Sequence, residues 1–208
     1  MDEKLNQIRH NLLETFKNYP YFFDAKIKEN ETGITILVSK YSNKPYVKRV
    51  ANKHKAGKDV SLECVNNMDE YFHWFGDAVD SNLTDNFVAA QEKTLEALAN
   101  KFGNESKIHK GVTLMARGKH LTTIDFVYRQ NSVLYLFKVG SSDKKHKRKL
   151  ASIQTGADFF RKHFWDEYGV VKGNVAYSDG VLVKFEGVHD ARHSGPIKGF
   201  VKKIKKRR

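Results

Sequence analysis

Residues Leu121–Phe160 read LTTIDFVYRQNSVLYLFKVGSSDKKHKRKLASIQTGADFF. Two apolar segments rich in β-branched and aromatic residues, Thr122–Arg129 and Val133–Val139, flank the polar pair Asn131-Ser132, which is the pattern of a β-hairpin. Beyond the basic run that follows, apolar side chains recur at the spacing of an amphipathic helix. These side chains are Leu150, Ile153, Ala157, Phe160 and Phe164. The stretch therefore predicts two strands that lead into a helix.

Each predicted strand carries one charged residue in an otherwise apolar run. Asp125 follows Ile124 in the first strand, and Lys138 follows Phe137 in the second. A buried carboxylate or ammonium group loses several kcal/mol of solvation unless it is paired or bound to a metal. Asp125 and Lys138 are therefore expected to form either a structural ion pair or part of a functional site.

The order of these elements resembles the PD-(D/E)xK nuclease superfamily, whose core runs helix, three strands, helix and strand. In that family the motif Asp lies on the second strand and the (D/E)-x-K tripeptide on the third. The corresponding segments of this chain are Asn86–Phe102, Gly111–Ala116, Thr122–Arg129, Val133–Val139, Lys144–Phe164 and either Val170–Tyr177 or Val181–Phe185. The resemblance implies an α/β (α+β) fold with a restriction-endonuclease-like core, in which helices flank a mixed sheet.

The tripeptide of this chain departs from the family pattern, because it reads Leu136-Phe137-Lys138 and leucine cannot bind a cation. Some members of the superfamily take a second acid from the helix before the strands, and Glu92 is the corresponding residue here, preferred to Glu96. The predicted apolar face of that helix comprises Val88, Leu95, Leu98, Ala99 and Phe102. Glu92 is expected at the edge of this face and Glu96 further towards solvent.

The resemblance implies a magnesium- or manganese-dependent endonuclease that hydrolyses phosphodiester bonds in DNA. The cation would be held by the carboxylates of Asp125 and Glu92 and by the main-chain carbonyl of Phe137. Lys138 would stabilise negative charge at the scissile phosphate. Gln154 is expected to hydrogen-bond within the site, with an ordinary exposed helical glutamine as the alternative.

Two other functions stay open at this point. In the first, Leu136 records a lost active site, and a catalytically inactive protein of the same fold binds DNA or RNA through its basic surface. In the second, the chain has an unrelated α/β RNA-binding fold, in which Asp125 and Lys138 do not meet. The chain contains no GxxxxGK[ST], GxSxG or HExxH motif and no GxGxxG motif, so the sequence favours none of the enzyme classes that these motifs mark.

The charge of the chain points to a polyanionic partner. Its 37 Lys and Arg residues against 24 acids give a formal net charge of +13, which favours nucleic acid, with DNA preferred to RNA. One basic group, at the start of the second core helix, contains Lys144, Lys145, Lys147, Arg148 and Lys149. A second, interleaved with Tyr41 and Tyr46, contains Lys48, Arg49, Lys53 and Lys55, and its alternative is a solvated loop.

Three parts of the chain are predicted. Residues 1–84 form an N-terminal α+β subdomain, residues 85–200 the nuclease-like core, and residues 201–208 a basic tail. The first part is predicted to contain an N-terminal amphipathic helix followed by strands Phe22–Ile27 and Gly33–Ser39. A homodimer is left open.

The expected location is intracellular, cytoplasmic in general and nuclear in a eukaryote. The single cysteine, Cys64, excludes a disulfide within the chain and fits a reducing compartment. No apolar run approaches the roughly 18 residues of a membrane span, and the first residues lack a signal-peptide core. No membrane partner is therefore expected.

Overall fold

A computed structural model describes residues 2–77, 85–103, 105–140 and 146–177, together with the backbone of 182–190. The described chain is mixed α+β, with helices α1 (Glu3–Phe16), α2 (Lys44–Ala51), α3 (Met68–Phe75), α4 (Asp85–Phe102) and α5 (His146–Phe164). Its strands are β1 (Phe22–Ile27), β2 (Gly33–Ser39), β3 (Asp59–Val65), β4 (Ile108–Ala116), β5 (Lys119–Gln130), β6 (Val133–Gly140), β7 (Val170–Tyr177) and β8 (Leu182–Asp190).

The chain divides into two compact units. The first comprises Met1–Tyr71 and Met115–Leu121, and the second comprises Phe72–Leu114 and Thr122–Arg208. The division by contacts thus falls at Tyr71, within α3, whereas the sequence placed it near residue 84. Among the described residues, no helix is both long and apolar enough to cross a membrane.

A three-stranded sheet in the order β1-β2-β3 forms the centre of the first unit. Strands β1 and β2 are antiparallel, and β2 and β3 are parallel. The predicted strands Phe22–Ile27 and Gly33–Ser39 are confirmed, as is the amphipathic α1. The apolar stripe of α1, with Leu5, Leu12 and Phe16 fully buried, packs in one core with side chains of β1, β2 and α2.

Part of the basic stretch predicted as a candidate loop is helix α2. The side chain of Asn43 caps this helix by accepting a hydrogen bond from the Tyr46 N–H at 3.1 Å, and Pro45 occupies its first turn. Val47 and Ala51 are buried in the core of the first unit. A helix forms here because one side of it has a core to pack against, while its basic residues stay on the exposed side.

A five-stranded sheet in the order β4-β5-β6-β7-β8 forms the centre of the second unit. Strands β5 and β6 are antiparallel, β6 and β7 are parallel, and β7 and β8 are antiparallel. The predicted hairpin is confirmed, with regular pairing from Gln130 and Val133 to Phe126 and Phe137. Both segments considered for the last strand form strands, β7 and β8.

Helices α4 and α5 cover opposite faces of this sheet. Ala90 and Leu98 of α4 pack in one cluster with Phe126 and Phe137. On the other face, a Cβ added at Gly156 of α5 would meet Leu136 Cδ1 at 3.3 Å. All five residues of the predicted α5 stripe, Leu150, Ile153, Ala157, Phe160 and Phe164, are buried. The mixed sheet flanked by helices is therefore confirmed.

Candidate functional site

The structure brings Asp125 and Lys138 together. The Lys138 ammonium donates hydrogen bonds to Asp125 Oδ1 at 2.7 Å and to the Thr123 carbonyl oxygen at 2.9 Å. The other carboxylate oxygen, Asp125 Oδ2, accepts a hydrogen bond from the Val139 N–H at 2.6 Å. The side chains are 16% exposed for Lys138 and 6% exposed for Asp125, so the contact is largely shielded from water.

The sheet explains why these side chains meet. Side chains two residues apart on a strand point to the same face, so Lys138 leaves β6 on the face of Leu136, which α5 covers. The regular β5–β6 pairing ends at Phe126 and Phe137, and the Asp125 carboxylate bonds to the backbone of β6 immediately beyond that point. At the end of the regular β5–β6 pairing, the Asp125 carboxylate thus accepts a hydrogen bond from the backbone of β6 in place of a backbone carbonyl.

The sequence did not predict the two backbone partners of this pair, the Thr123 carbonyl and the Val139 N–H. Backbone groups are identical at every position except proline, so no residue type marks them. With these partners, the ammonium makes two hydrogen bonds and each carboxylate oxygen accepts one. The geometry is that of a satisfied buried ion pair, the arrangement in which attraction offsets the cost of desolvation.

Glu92 is not brought to this pair. Ala90, Thr94 and Leu98 form the buried side of α4, whereas Val88, predicted on that side, is 39% exposed, so this part of the prediction is wrong. Glu92 follows Ala90 by two residues and therefore lies about 200° round the helix from it. Its side chain is exposed, as is that of Glu96. Both acids belong to a helix that packs on the face of the sheet opposite to Lys138.

The other residues expected at the site have structural partners. Leu136 is fully buried, and Phe137 lies within β6 with its backbone paired to Phe126 on one side and Asn174 on the other. The Gln154 side-chain amide donates a hydrogen bond to Asp158 Oδ2, one turn along α5, at 3.0 Å. These contacts lie within the sheet and within α5, and none of them joins the Asp125–Lys138 pair.

The predicted magnesium or manganese site would need several oxygen donors close together. Among the described residues, no three His, Cys, Asp or Glu side chains lie close enough together to hold a metal ion. Asp125 supplies one carboxylate, and the Lys138 ammonium already occupies one of its oxygens. The described residues therefore do not fit a complete magnesium site, which needs oxygen ligands in near-octahedral geometry.

The basic residues of α5 lie next to the strand that carries Lys138. The space that a Cβ would take at Gly140, the last residue of β6, is filled by the Cε and Nζ atoms of Lys149. Lys147 and Arg148 are exposed. Lys144 and Lys145 lie outside the described residues. Three of the five predicted cations of this group can thus be located, and Lys149 lies at the end of β6.

The second predicted basic group lies in the first unit. Lys48 and Arg49 are on α2, Lys53 and Lys55 follow it, and all four side chains are exposed. The predicted basic tail at residues 201–208 lies outside the described residues.

Burial shifts the pKa of several groups that lie outside the Asp125–Lys138 contact, among them Asp24 and His163. In the first unit, burial raises the pKa of Asp24, against the effects of the Ala25 N–H and of Arg9. In the second unit, burial lowers the pKa of His163 from 6.5 to about 3, so that its imidazole is neutral at physiological pH. Both shifts follow from burial in the interior of a unit.

Comparison with family models, with characterised proteins and with solved structures gives no match to this chain.

Proposed function

We propose that this chain is a nucleic-acid-binding protein whose second unit has a nuclease-like fold without a complete metal site. The observation that carries the proposal is the position of Lys149 over Gly140, which puts the basic start of α5 at the end of the strand that bears Lys138. A phosphate backbone that contacts Lys147, Arg148 and Lys149 would release condensed counterions, which favours binding. DNA is the proposed partner.

The inactive form of this fold is supported by three features of the described residues. Leu136 replaces the acid of the tripeptide and is fully buried. Glu92 is exposed on the other side of the sheet, and the Asp125 carboxylate is engaged by Lys138 and by the Val139 N–H. Each of these three features is expected if the Asp125–Lys138 ion pair has a structural role and not a catalytic one.

The binding experiment measures fluorescence anisotropy of labelled DNA across a series of salt concentrations. The K147A/R148A/K149A variant should bind more weakly, and the slope of log K against log salt should fall by about 3 if all three cations contact phosphates of duplex DNA. The matched control K93A/K101A/K107A removes the same charge from exposed residues of α4 and its C-terminal side. Equal losses in both variants would contradict a localised binding surface, and no binding by the wild type would refute the proposal.

A metal-dependent endonuclease is the second candidate. It is favoured by the meeting of Asp125 and Lys138 on the second and third strands of a helix, three-strand, helix, strand order, which is the arrangement that the resemblance predicts. In that case Lys138 would stabilise charge at the scissile phosphate.

Cleavage of plasmid and single-stranded substrates in Mg²⁺ or Mn²⁺ separates the two candidates. The wild type is compared with Asp125→Asn, because an amide oxygen still accepts the hydrogen bond from the Val139 N–H while the carboxylate charge is lost. DNA binding without cleavage in either protein supports the first proposal. Metal-dependent cleavage that the substitution abolishes would replace it with the second.

A further inference from the structure

Four tyrosines form a continuous row in the first unit. In order they are Tyr46, Tyr19, Tyr21 and Tyr41, and the distances between successive ring centroids are 5.6, 5.9 and 6.5 Å. We call these four residues the tyrosine row. They come from α2, from the segment that leads into β1 and from the segment that follows β2.

Both ends of the tyrosine row are open to solvent. Tyr41 and Tyr46 are each 36% exposed, and Tyr19 and Tyr21 are half-buried. Among the described residues, five large apolar or aromatic side chains are exposed. Two of the five are Tyr41 and Tyr46, which the rings of the tyrosine row connect. Aromatic area is thus concentrated on this part of the surface.

The inner side of the row is packed against the core and hydrogen-bonded. The fully buried Phe16 lies 6.1 Å from Tyr19 and 6.4 Å from Tyr46, centroid to centroid. The Tyr19 hydroxyl accepts a hydrogen bond from the backbone N–H of Asn43 at 2.6 Å, and the Asn43 side chain in turn caps the helix that carries Tyr46. Because packing and hydrogen bonds position the Tyr19 and Tyr46 rings in advance, a ligand would not have to order these two rings.

Cations flank the exposed ends of the row. Lys40 Nζ lies 5.4 Å from the centroid of the Tyr41 ring, and Arg49 Cζ lies 5.9 Å from that of Tyr46. The exposed Lys44 and Lys48 lie on the same helix as Tyr46. No Asp or Glu occurs in the chain between Glu31 and Asp59, a stretch with seven Lys and Arg residues. The surface therefore combines aromatic rings with positive charge from a stretch of sequence that contains no acid.

We propose that the tyrosine row is a binding surface for single-stranded DNA. Unpaired bases stack on aromatic rings whatever their identity, while flanking cations contact the backbone, and this combination characterises surfaces that bind single strands without sequence preference. Paired bases in a duplex are already stacked on one another, so their faces cannot stack on these rings. This inference rests on the proposed nucleic-acid binding and specifies the form of the partner and a second surface for it.

The experiment measures binding of the full chain to fluorescein-labelled dT20, to U20 and to a 20-base-pair duplex. The Y41A/Y46A variant should bind dT20 at least about tenfold more weakly, because loss of one base–aromatic stack alone is expected to cost a factor of this order. Its affinity for the duplex should change less than threefold. The control Y41F/Y46F keeps both rings and should bind dT20 within about twofold of the wild type. Far-UV circular dichroism checks that each variant is folded.

A second variant tests the charges. K40A/R49A should also weaken dT20 binding and reduce its salt dependence, by a slope of up to about 1.4 for two phosphate contacts on a single strand. Unchanged dT20 binding by Y41A/Y46A would overturn the inference, as would an equal loss for duplex and single strand. Tighter binding of U20 than of dT20 by tenfold would reassign the surface to RNA.

These outcomes are distinct from failure of the proposed function. If the wild type binds duplex DNA through Lys147, Arg148 and Lys149 but Y41A/Y46A behaves as the wild type, only the role of the tyrosine row is refuted. If the wild type binds none of the three probes, both proposals are refuted.

Discussion

Replacement of Lys138 by methionine tests whether the Asp125–Lys138 contact stabilises the second unit. The substitution keeps most of the aliphatic length and removes the ammonium group, which hydrogen-bonds to Asp125 Oδ1 and to the Thr123 carbonyl. It leaves a carboxylate that is 6% exposed with the Val139 N–H as its remaining observed donor. Removing one partner of a buried ion pair costs about 3–5 kcal/mol, and we expect a loss in this range.

The reverse substitution should cost less. Asp125→Asn keeps an acceptor for the Val139 N–H, and the Lys138 side chain, which is 16% exposed, can extend its charge towards water. A loss of about 1–2 kcal/mol is expected, typical of one altered buried hydrogen bond. In the double variant Asp125→Asn/Lys138→Met, no unpaired carboxylate is left at position 125. The free energy of unfolding of the double variant should therefore lie near that of Asp125→Asn.

Urea denaturation followed by tryptophan fluorescence measures these free energies of unfolding. Both tryptophans of the chain, Trp74 and Trp165, belong to the second unit, so the signal reports on the unit that contains the substitutions. Lys147→Met is the matched control, since Lys147 is exposed and the substitution should change stability by less than about 0.5 kcal/mol. A stabilising role of the Asp125–Lys138 contact is refuted if Lys138→Met is as stable as this control, or if Asp125→Asn destabilises the unit more than Lys138→Met does.

Three further predictions concern single positions. The pKa of His163 is lowered to about 3 by burial. As the pH falls below 6.5, the unfolded state therefore takes up a proton that the folded state does not. The free energy of unfolding should drop by about 1.4 kcal/mol per pH unit towards pH 4. Urea denaturation across this range should give a flatter profile for His163→Phe, and equal slopes would contradict the neutral imidazole. Gly118→Ala should lower the melting temperature measured by circular dichroism more than Gly57→Ala does. Both glycines have positive φ, but of these two positions only 118 would bring the added methyl group against another side chain. Equal shifts in melting temperature would contradict the steric cost at position 118. Leu136→Glu, at a fully buried position, should destabilise the second unit by more than about 3 kcal/mol in the urea assay. A folded Leu136→Glu protein whose melting temperature rises with Mg²⁺ would instead reveal a metal site that lacks one acid.

Several features of the fold could be predicted from local sequence patterns. The strands Phe22–Ile27 and Gly33–Ser39, the β5–β6 hairpin and the buried stripe of α5 all follow from apolar periodicity, which depends on residues within one or two turns of each other. The contact between Asp125 and Lys138 could be predicted in part from the hairpin. The turn of a hairpin determines which residues of its two strands lie close together.

The rotation of α4 could not be predicted in the same way. Its sequence allows an apolar face around Val88 and Leu95 as well as one around Ala90, Thr94 and Leu98, and the structure buries the latter. The choice depends on which side fits the aromatic residues of β5 and β6, a packing relation between segments far apart in the chain. That rotation determines that Glu92 faces solvent.

The sequence by itself determined the type of several main elements, among them α1, the β5–β6 hairpin and α5, together with the excess of positive charge and the two charged residues placed in apolar strands. Only the tertiary structure decided which groups surround those charges and which aromatic rings adjoin. The Thr123 carbonyl and the Val139 N–H carry no signature in the sequence, and the tyrosine row is assembled from three separate segments. The physical reason is that the spacing of apolar residues depends only on the helix or strand to which they belong, whereas a site is formed by packing between several helices and strands.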